Sequence, residues 1–262
     1  MIRLSGYIPL VFSLLIPLLP LECFADGGTY QEVTTARNAQ QPFWLIEYPT
    51  ARASLIMFAG GKGRLKIDPD GIGKKNNFLV RTRRQFADAG FNVAVMDKPK
   101  DKGELFGFRT TAEHATDVQA VILYLRNKYK HPVWLIGTSR GTLSAANAAA
   151  RLAGTNGPDG IVLTASVLVT KKYESLTDID LGRIRVPTLF VHNRDDGCHV
   201  CPYSELAHVM AKCDKASDKA LQVHEGGRSE RSNQCKALTP HGFLGLEDKV
   251  VKEIADWIKL RL

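Results

Sequence analysis

Long apolar runs are almost absent from this chain. The exception is "YIPLVFSLLIPLLPL" at 7–21, with Arg3 before it and "ECFADGG" after it. It falls short of the ~20 residues a membrane span needs, and Pro17 and Pro20 interrupt it as a helix. A charged start, a short apolar centre and a small-residue end define a secretory signal peptide, with cleavage expected after Ala25. Lipid attachment at Cys23 is disfavoured, because Glu22 stands where a small residue is wanted. The expectation is therefore a signal at 1–25 and one domain over 26–262, exported to the periplasm or beyond and not inserted in a membrane once the signal is gone.

Cysteine is also scarce, at five in 262 residues. Loss of Cys23 leaves Cys198, Cys201, Cys213 and Cys235. An even number in an oxidising compartment predicts two disulfides, with three connectivities open. The "CHVC" pair at 198–201 also admits a zinc or redox reading. Four ligands spread over 198–235 do not define a zinc site, however, and a redox pair belongs in an early strand-to-helix turn.

Repeats, low-complexity tracts and disordered linkers are missing, which excludes solenoids and multidomain strings. "GKG" (61–63) and "GIGKK" (71–75) lack the spacing of a phosphate-binding loop, and no Gly-x-Gly-x-x-Gly follows the first strand. The net charge of +8 comes from scattered Lys and Arg, with short clusters at "RTRR" (81–84) and "GKK" (73–75). No nucleic-acid motif accompanies it, so it reads as a solvated surface and no nucleic-acid partner is expected. The sequence does not specify an oligomeric state.

What is present is an ordered alternation. Strands are predicted at 43–48, 54–60, 91–97, 133–138, 160–165, 188–193 and 220–226. Helices are predicted at 76–90, 111–129, 140–153, 203–212 and 247–262. Short unbroken apolar strands alternating with helices predict an α/β fold, a mostly parallel sheet flanked by helices on both faces. Segments 61–75, 98–110, 166–186 and 226–242 remain as loops, and ligands of such sheets bind at the strands' carboxyl ends.

At one of those ends lies "IGTSRG". Ser139 sits between Gly137 and Gly141 where a buried strand becomes an alanine-rich helix. Such a turn projects a hydroxyl above the sheet, and the helix N-terminus favours a developing anion there. A serine nucleophile needs a base, and the base needs a carboxylate. "HNRDDGC" offers Asp195 and Asp196 at a strand end. Of seven histidines, only His241 in "TPHGF" combines a late loop with a following glycine. A disulfide at Cys198 would brace the acid's loop, with Cys235 or Cys213 as partner.

These residues resemble the α/β-hydrolases, and the chain is similar to the small capless members around the dienelactone hydrolases. "MFAGGKG", "FRTTAEHATDV", "IGTSRG", "HNRDDGC" and "HGF" carry the resemblance across 55–243. It implies an α/β-hydrolase fold without a large cap, a catalytic set of Ser139, Asp196 and His241, and no metal or other cofactor. The family's acid register selects Asp196 over Asp195, although Asn193 replaces the usual glycine. The oxyanion donors it implies are the backbone N–H groups of Gly61 (Gly60 as alternative) and Arg140, although Ala59-Gly60 stands where the family has His-Gly.

The function expected is hydrolysis of a small or polar ester-like substrate through an acyl-enzyme. The alternatives are a lyase or acyltransferase on the same scaffold, or an inactive exported binding protein. Lys62, Arg64 and Arg140, near the expected mouth, suggest tolerance of anionic substrates.

Overall fold

The computed structural model describes residues 1–2, 27–154, 156–170 and 172–262. The signal at 1–25, its cleavage site at Ala25 and Cys23 lie outside the described residues, apart from Met1 and Ile2. Among the described residues no helix is long and apolar enough to cross a membrane.

Eight strands form one sheet: β1 (Gly28–Thr34), β2 (Gln40–Ile46), β3 (Ser54–Phe58), β4 (Asn92–Met96), β5 (Val133–Thr138), β6 (Gly160–Thr164), β7 (Thr188–Asn193) and β8 (Lys219–His224). Their order across the sheet is β1-β2-β4-β3-β5-β6-β7-β8. Only β2 runs against its neighbours; every other pair is parallel. Residues on a strand alternate between faces, so each buried strand feeds two cores. On β5, Val133 and Leu135 join the core beneath α3 (Ala112–Tyr129) and α4 (Gly141–Arg151). Trp134 and Ile136 join the opposite core, covered by α1 (Phe78–Arg81), α2 (Arg83–Asp88) and α6 (Glu247–Lys259). This is the two-faced α/β architecture expected.

Several elements differ from expectation. The helix predicted over 76–90 is split into α1 and α2 at Thr82, whose Oγ1 donates to the Phe78 carbonyl at 2.8 Å. Such back-bonding opens a helical turn. The segment 203–212 becomes a 3₁₀ turn, Tyr203–Glu205, followed by the short α5 (Leu206–Ala211). β1 was not expected, because "GTYQEVT" is half-exposed and has no apolar alternation; its ladder with β2 makes it a strand. Segment 166–186, in keeping with a fold without a large cap, buries Leu168, Leu176, Leu181 and Ile184 in the core beside α4.

Because β3, β5, β7 and β8 are parallel, the loops after them leave from the same edge of the sheet. That edge carries the site.

Candidate active site

Ser139 stands on the turn between β5 and α4, with φ at 55°. A left-handed backbone at a non-glycine residue costs roughly 1–3 kcal/mol and must be held by its surroundings. Here the Ser139 N–H donates to Thr164 O on β6 at 2.9 Å, and its carbonyl accepts from the Thr142 N–H and Oγ1 at 3.0 and 2.6 Å. Both flanking glycines are required by close approach. A Cβ on Gly137 would lie 2.3 Å from Gly141 O, and one on Gly141 would lie 2.0 Å from Phe58 O.

The loop after β7 brings an acid to a base. His241 Nδ1 lies 2.8 Å from Asp196 Oδ2, and both side chains are buried. The other Asp196 oxygen accepts the Cys198 N–H at 2.9 Å. A carboxylate on Nδ1 orients the ring and leaves Nε2 to exchange a proton. Nε2 is buried with no hydrogen-bond partner, so no bond joins it to Ser139 here. Such contacts commonly tighten only when substrate binds.

Asp195 faces elsewhere and accepts the Gly226 N–H at 2.6 Å. Asn193 Nδ2 donates to Gly226 O at 2.9 Å and to Pro240 O at 3.4 Å, tying the acid's loop to the residue before His241. An amide therefore does, at a position where the family has glycine, what a glycine cannot. His192 is buried against the Cys201 carbonyl at 2.8 Å, and desolvation lowers its pKa.

The loop after β3 approaches Ser139 from the other side. A Cβ on Gly60 would meet Ser139 Cβ at 2.9 Å, and Gly61 takes φ of 60°. Among the described residues no internal hydrogen bond takes up the N–H of Gly61 or of Arg140. Beneath this loop lies Arg109, a buried cation with no carboxylate partner among the described residues. It donates to the Ala59 carbonyl at 2.8 Å and to Ser144 Oγ at 2.7 Å. Desolvation lowers its pKa to about 9. Ser144 Oγ lies 2.8 Å from His114 Nε2, and burial lowers that imidazole's pKa to about 3, so it is neutral. Ser144 and His114 are wholly buried, which makes this second serine–histidine contact a support for the loop and not a place for substrate. The stretch "FRTTAEHATDV" contains Arg109 but gave it no role, because its partners come from the loop after β3 and from α4.

Arg140 does not add its charge to the mouth as expected. Its guanidinium packs over Phe106 and Tyr173, 4.7 and 4.5 Å from the ring centroids, and lies 3.6 Å from a Glu174 oxygen. Its backbone still opens α4 beside Ser139.

The cysteines need a correction. One disulfide, Cys198–Cys235, joins the acid's loop to the loop before His241. The second expected bridge is not formed. Cys201 and Cys213 are buried thiols in separate apolar clusters, Cys213 in the core under α5 and Cys201 beside Val167. Cys198, Cys201 and His241 each place a potential ligand atom within 4.8 Å of the others. In that set the Cys198 sulfur is bonded to Cys235 and His241 Nδ1 is bonded to Asp196, so as a donor set it does not fit a metal.

Ser139, Gly60, Gly61 and Cys235 line one cavity of about 610 Å³.

No protein-family model matches the chain, and no curated protein does. Solved structures do. An esterase from Pyrococcus furiosus is 14% identical with a TM-score of 0.65, over 90% of this chain and 91% of that one. A serine hydrolase without a lid from Xanthomonas campestris is 13% identical with a TM-score of 0.57, over 91% of this chain and 97% of that one. A dienelactone hydrolase from Anabaena variabilis is 14% identical with a TM-score of 0.58, over 89% of this chain and 98% of that one. In its strand order, its tight turn after β5 and its solved neighbours, this chain has the α/β-hydrolase fold.

Proposed function

We propose that the protein is an exported serine hydrolase acting on small or polar ester-like substrates, its residues 26–262 working as one domain. The observation that carries this reading is the buried Asp196–His241 pair with Nε2 uncommitted, at the sheet edge that also bears the Ser139 turn. Ser139 Oγ attacks the substrate carbonyl carbon while His241 Nε2 accepts its proton. Asp196 supports the imidazolium through Nδ1. The N–H groups of Gly61 and Arg140 take the oxyanion, each such donor contributing about 3–4 kcal/mol. Collapse expels the leaving group, which receives the proton from Nε2. Water then attacks the acyl-enzyme by the same steps and frees Ser139. None of these steps calls on a cofactor.

Segment 166–186 supports small or polar substrates: it commits Leu168, Leu176, Ile179, Leu181 and Ile184 to the core and leaves only Val169 and Tyr173 exposed among its described large apolar residues, too few for a lipid-binding lid. Export rests on the N-terminal sequence, and the Cys198–Cys235 bridge suits an oxidising compartment. The esterase and lid-less hydrolase among the solved neighbours agree with the reaction class.

A fluorophosphonate probe tests the reading. It is expected to label the protein at Ser139 and to fail on Ser139→Ala and His241→Ala. Undiminished labelling of Ser139→Ala would overturn it, and a preference for palmitoyl over acetyl esters would overturn the substrate size.

A further inference from the structure

The cavity beside Ser139 has a wall of one sign. Lys62, Arg64, Lys74, Lys75 and Lys236 line it, with no carboxylate among its lining residues. Three other surface cavities each have a carboxylate in their walls, at Asp159, Asp178 and Glu47. Lys62 is paired with Glu104 at 2.8 Å. Arg64, Lys74, Lys75 and Lys236 have no ion-pair partner among the described residues. Asp68 and Asp70 belong to the neighbouring hairpin and do not line the cavity.

These cations come from three stretches of chain, and each stretch is fastened from below. The buried carboxylate of Asp97 accepts the N–H groups of Leu65 and Ile67 at 2.7 and 2.9 Å, which fixes the first stretch to the end of β4. The N–H groups of Gly73 and Lys74 bond the carbonyls of Lys66 and Leu65, both at 3.0 Å, which draws the second stretch onto the first. The third is held by the Cys198–Cys235 bridge. Arg81 closes the ring. Its guanidinium donates to the carbonyls of Asn76 and Ala237, at 2.9 and 3.3 Å, and is itself paired with Glu247. Like charges gathered on an anchored framework repel one another in the empty site, and an anion between them removes that repulsion while gaining attraction from each. Walls of one sign also concentrate a substrate of the opposite sign.

We infer that this cavity receives a substrate group bearing at least two negative charges, either a phosphomonoester or a pair of carboxylates, while the ester carbonyl lies at Ser139. The inference rests on the serine-hydrolase reading and names its substrate class. Four unpaired cations are more than one carboxylate requires, so a dianion gains more than a monoanion.

The test is a series sharing one acetyl group: phenyl acetate (neutral), 4-acetoxybenzoate (one charge), and 5-acetoxyisophthalate and 4-acetoxyphenyl phosphate (two charges). We expect kcat/KM to rise about tenfold or more from the neutral ester to at least one dianion, with the monoanion between. The gap should shrink at about 0.5 M salt, because screening shortens from about 10 Å at 0.1 M to about 3 Å at 1 M. Which dianion leads separates phosphate from paired carboxylates. In a Lys74→Ser, Lys75→Ser, Lys236→Ser variant with unchanged melting temperature, the dianion-to-neutral ratio should approach one. A ratio near one in the wild type, or one that persists in the triple variant, would overturn the inference while leaving the hydrolase standing. If no ester turns over and the fluorophosphonate fails to label Ser139, the hydrolase reading fails by itself. Calorimetric titration with 5-hydroxyisophthalate then decides the cavity: binding lost in the triple variant supports it, and no binding to the wild type overturns it.

Discussion

Asp195 and Asp196 are adjacent in sequence and chemically identical, yet one carboxylate holds His241 while the other holds the Gly226 backbone. Asp196→Asn removes the acceptor that fixes the imidazole tautomer, so turnover should fall by about four orders of magnitude. Asp195→Asn should lower it far less, since it touches only a loop N–H. Kinetics of both variants on an acetyl ester check this, and reversed effects would reassign the acid. Arg109 acts at the same scale, with its guanidinium bridging the Ala59 carbonyl and Ser144 Oγ. Arg109→Met should loosen the loop that carries Gly61, the proposed oxyanion donor, and lower kcat by about tenfold or more with little change in KM, because such a donor acts in the transition state. Arg109→Lys should not restore it, since an ammonium lacks the planar fork that spans both acceptors. Unchanged kcat in Arg109→Met would separate this residue from the reaction.

Among the elements, the loops after β7 and β8 depend on a covalent tie. The Cys198–Cys235 bridge closes a separation of 37 residues, and closing a loop of that length is worth about 4 kcal/mol against the unfolded chain. Intact-mass analysis of the purified protein should find two hydrogens missing, not four. Native alkylation should spare Cys201 and Cys213, whose thiols burial pushes above their usual pKa. Cys235→Ser should lower the melting temperature and the hydrolytic rate together, because Asp196 and His241 sit on the two loops the bridge joins. A four-hydrogen deficit, or full activity in Cys235→Ser, would contradict this account.

For the whole molecule, the pH dependence of stability follows from its buried imidazoles. His114 has its pKa lowered from 6.5 to about 3 by desolvation first, then by the charges of Arg109 and Arg37. Between those values the unfolded chain binds the proton and the folded one does not. Stability is therefore full above about pH 6.5 and declines as pH falls towards about 3, by at most about 1.4 kcal/mol per unit for this group. Desolvation lowers the pKa of His192 and His224 in the same direction. Thermal melts should show a falling midpoint from about pH 7 to about pH 4.5, with a shallower slope in His114→Gln. A flat profile would exclude these imidazoles as the cause.

The sequence by itself determined the α/β class, the seven buried or half-buried strands it marked and the tight turn around Ser139. Those features are local: a strand covered on both faces must be apolar throughout, and a helix start crowding a strand end leaves room only for glycine. β1 escaped because a half-exposed edge strand gains its order from the β2 ladder rather than from its own pattern. The family register already pointed to Asp196, but only the tertiary structure decided that Asp195 turns instead to the Gly226 backbone, that Cys198 joins Cys235 and not Cys213, and that Arg109 lies under the loop of Gly61. It also turned Arg140 onto two aromatic rings and gathered Lys74, Lys75 and Lys236 with Lys62 and Arg64 around one cavity. The physical reason is distance along the chain. Burial and turn geometry are set by neighbouring residues, whereas side-chain partners from remote segments meet only after the crossovers have brought their strand ends to one edge of the sheet.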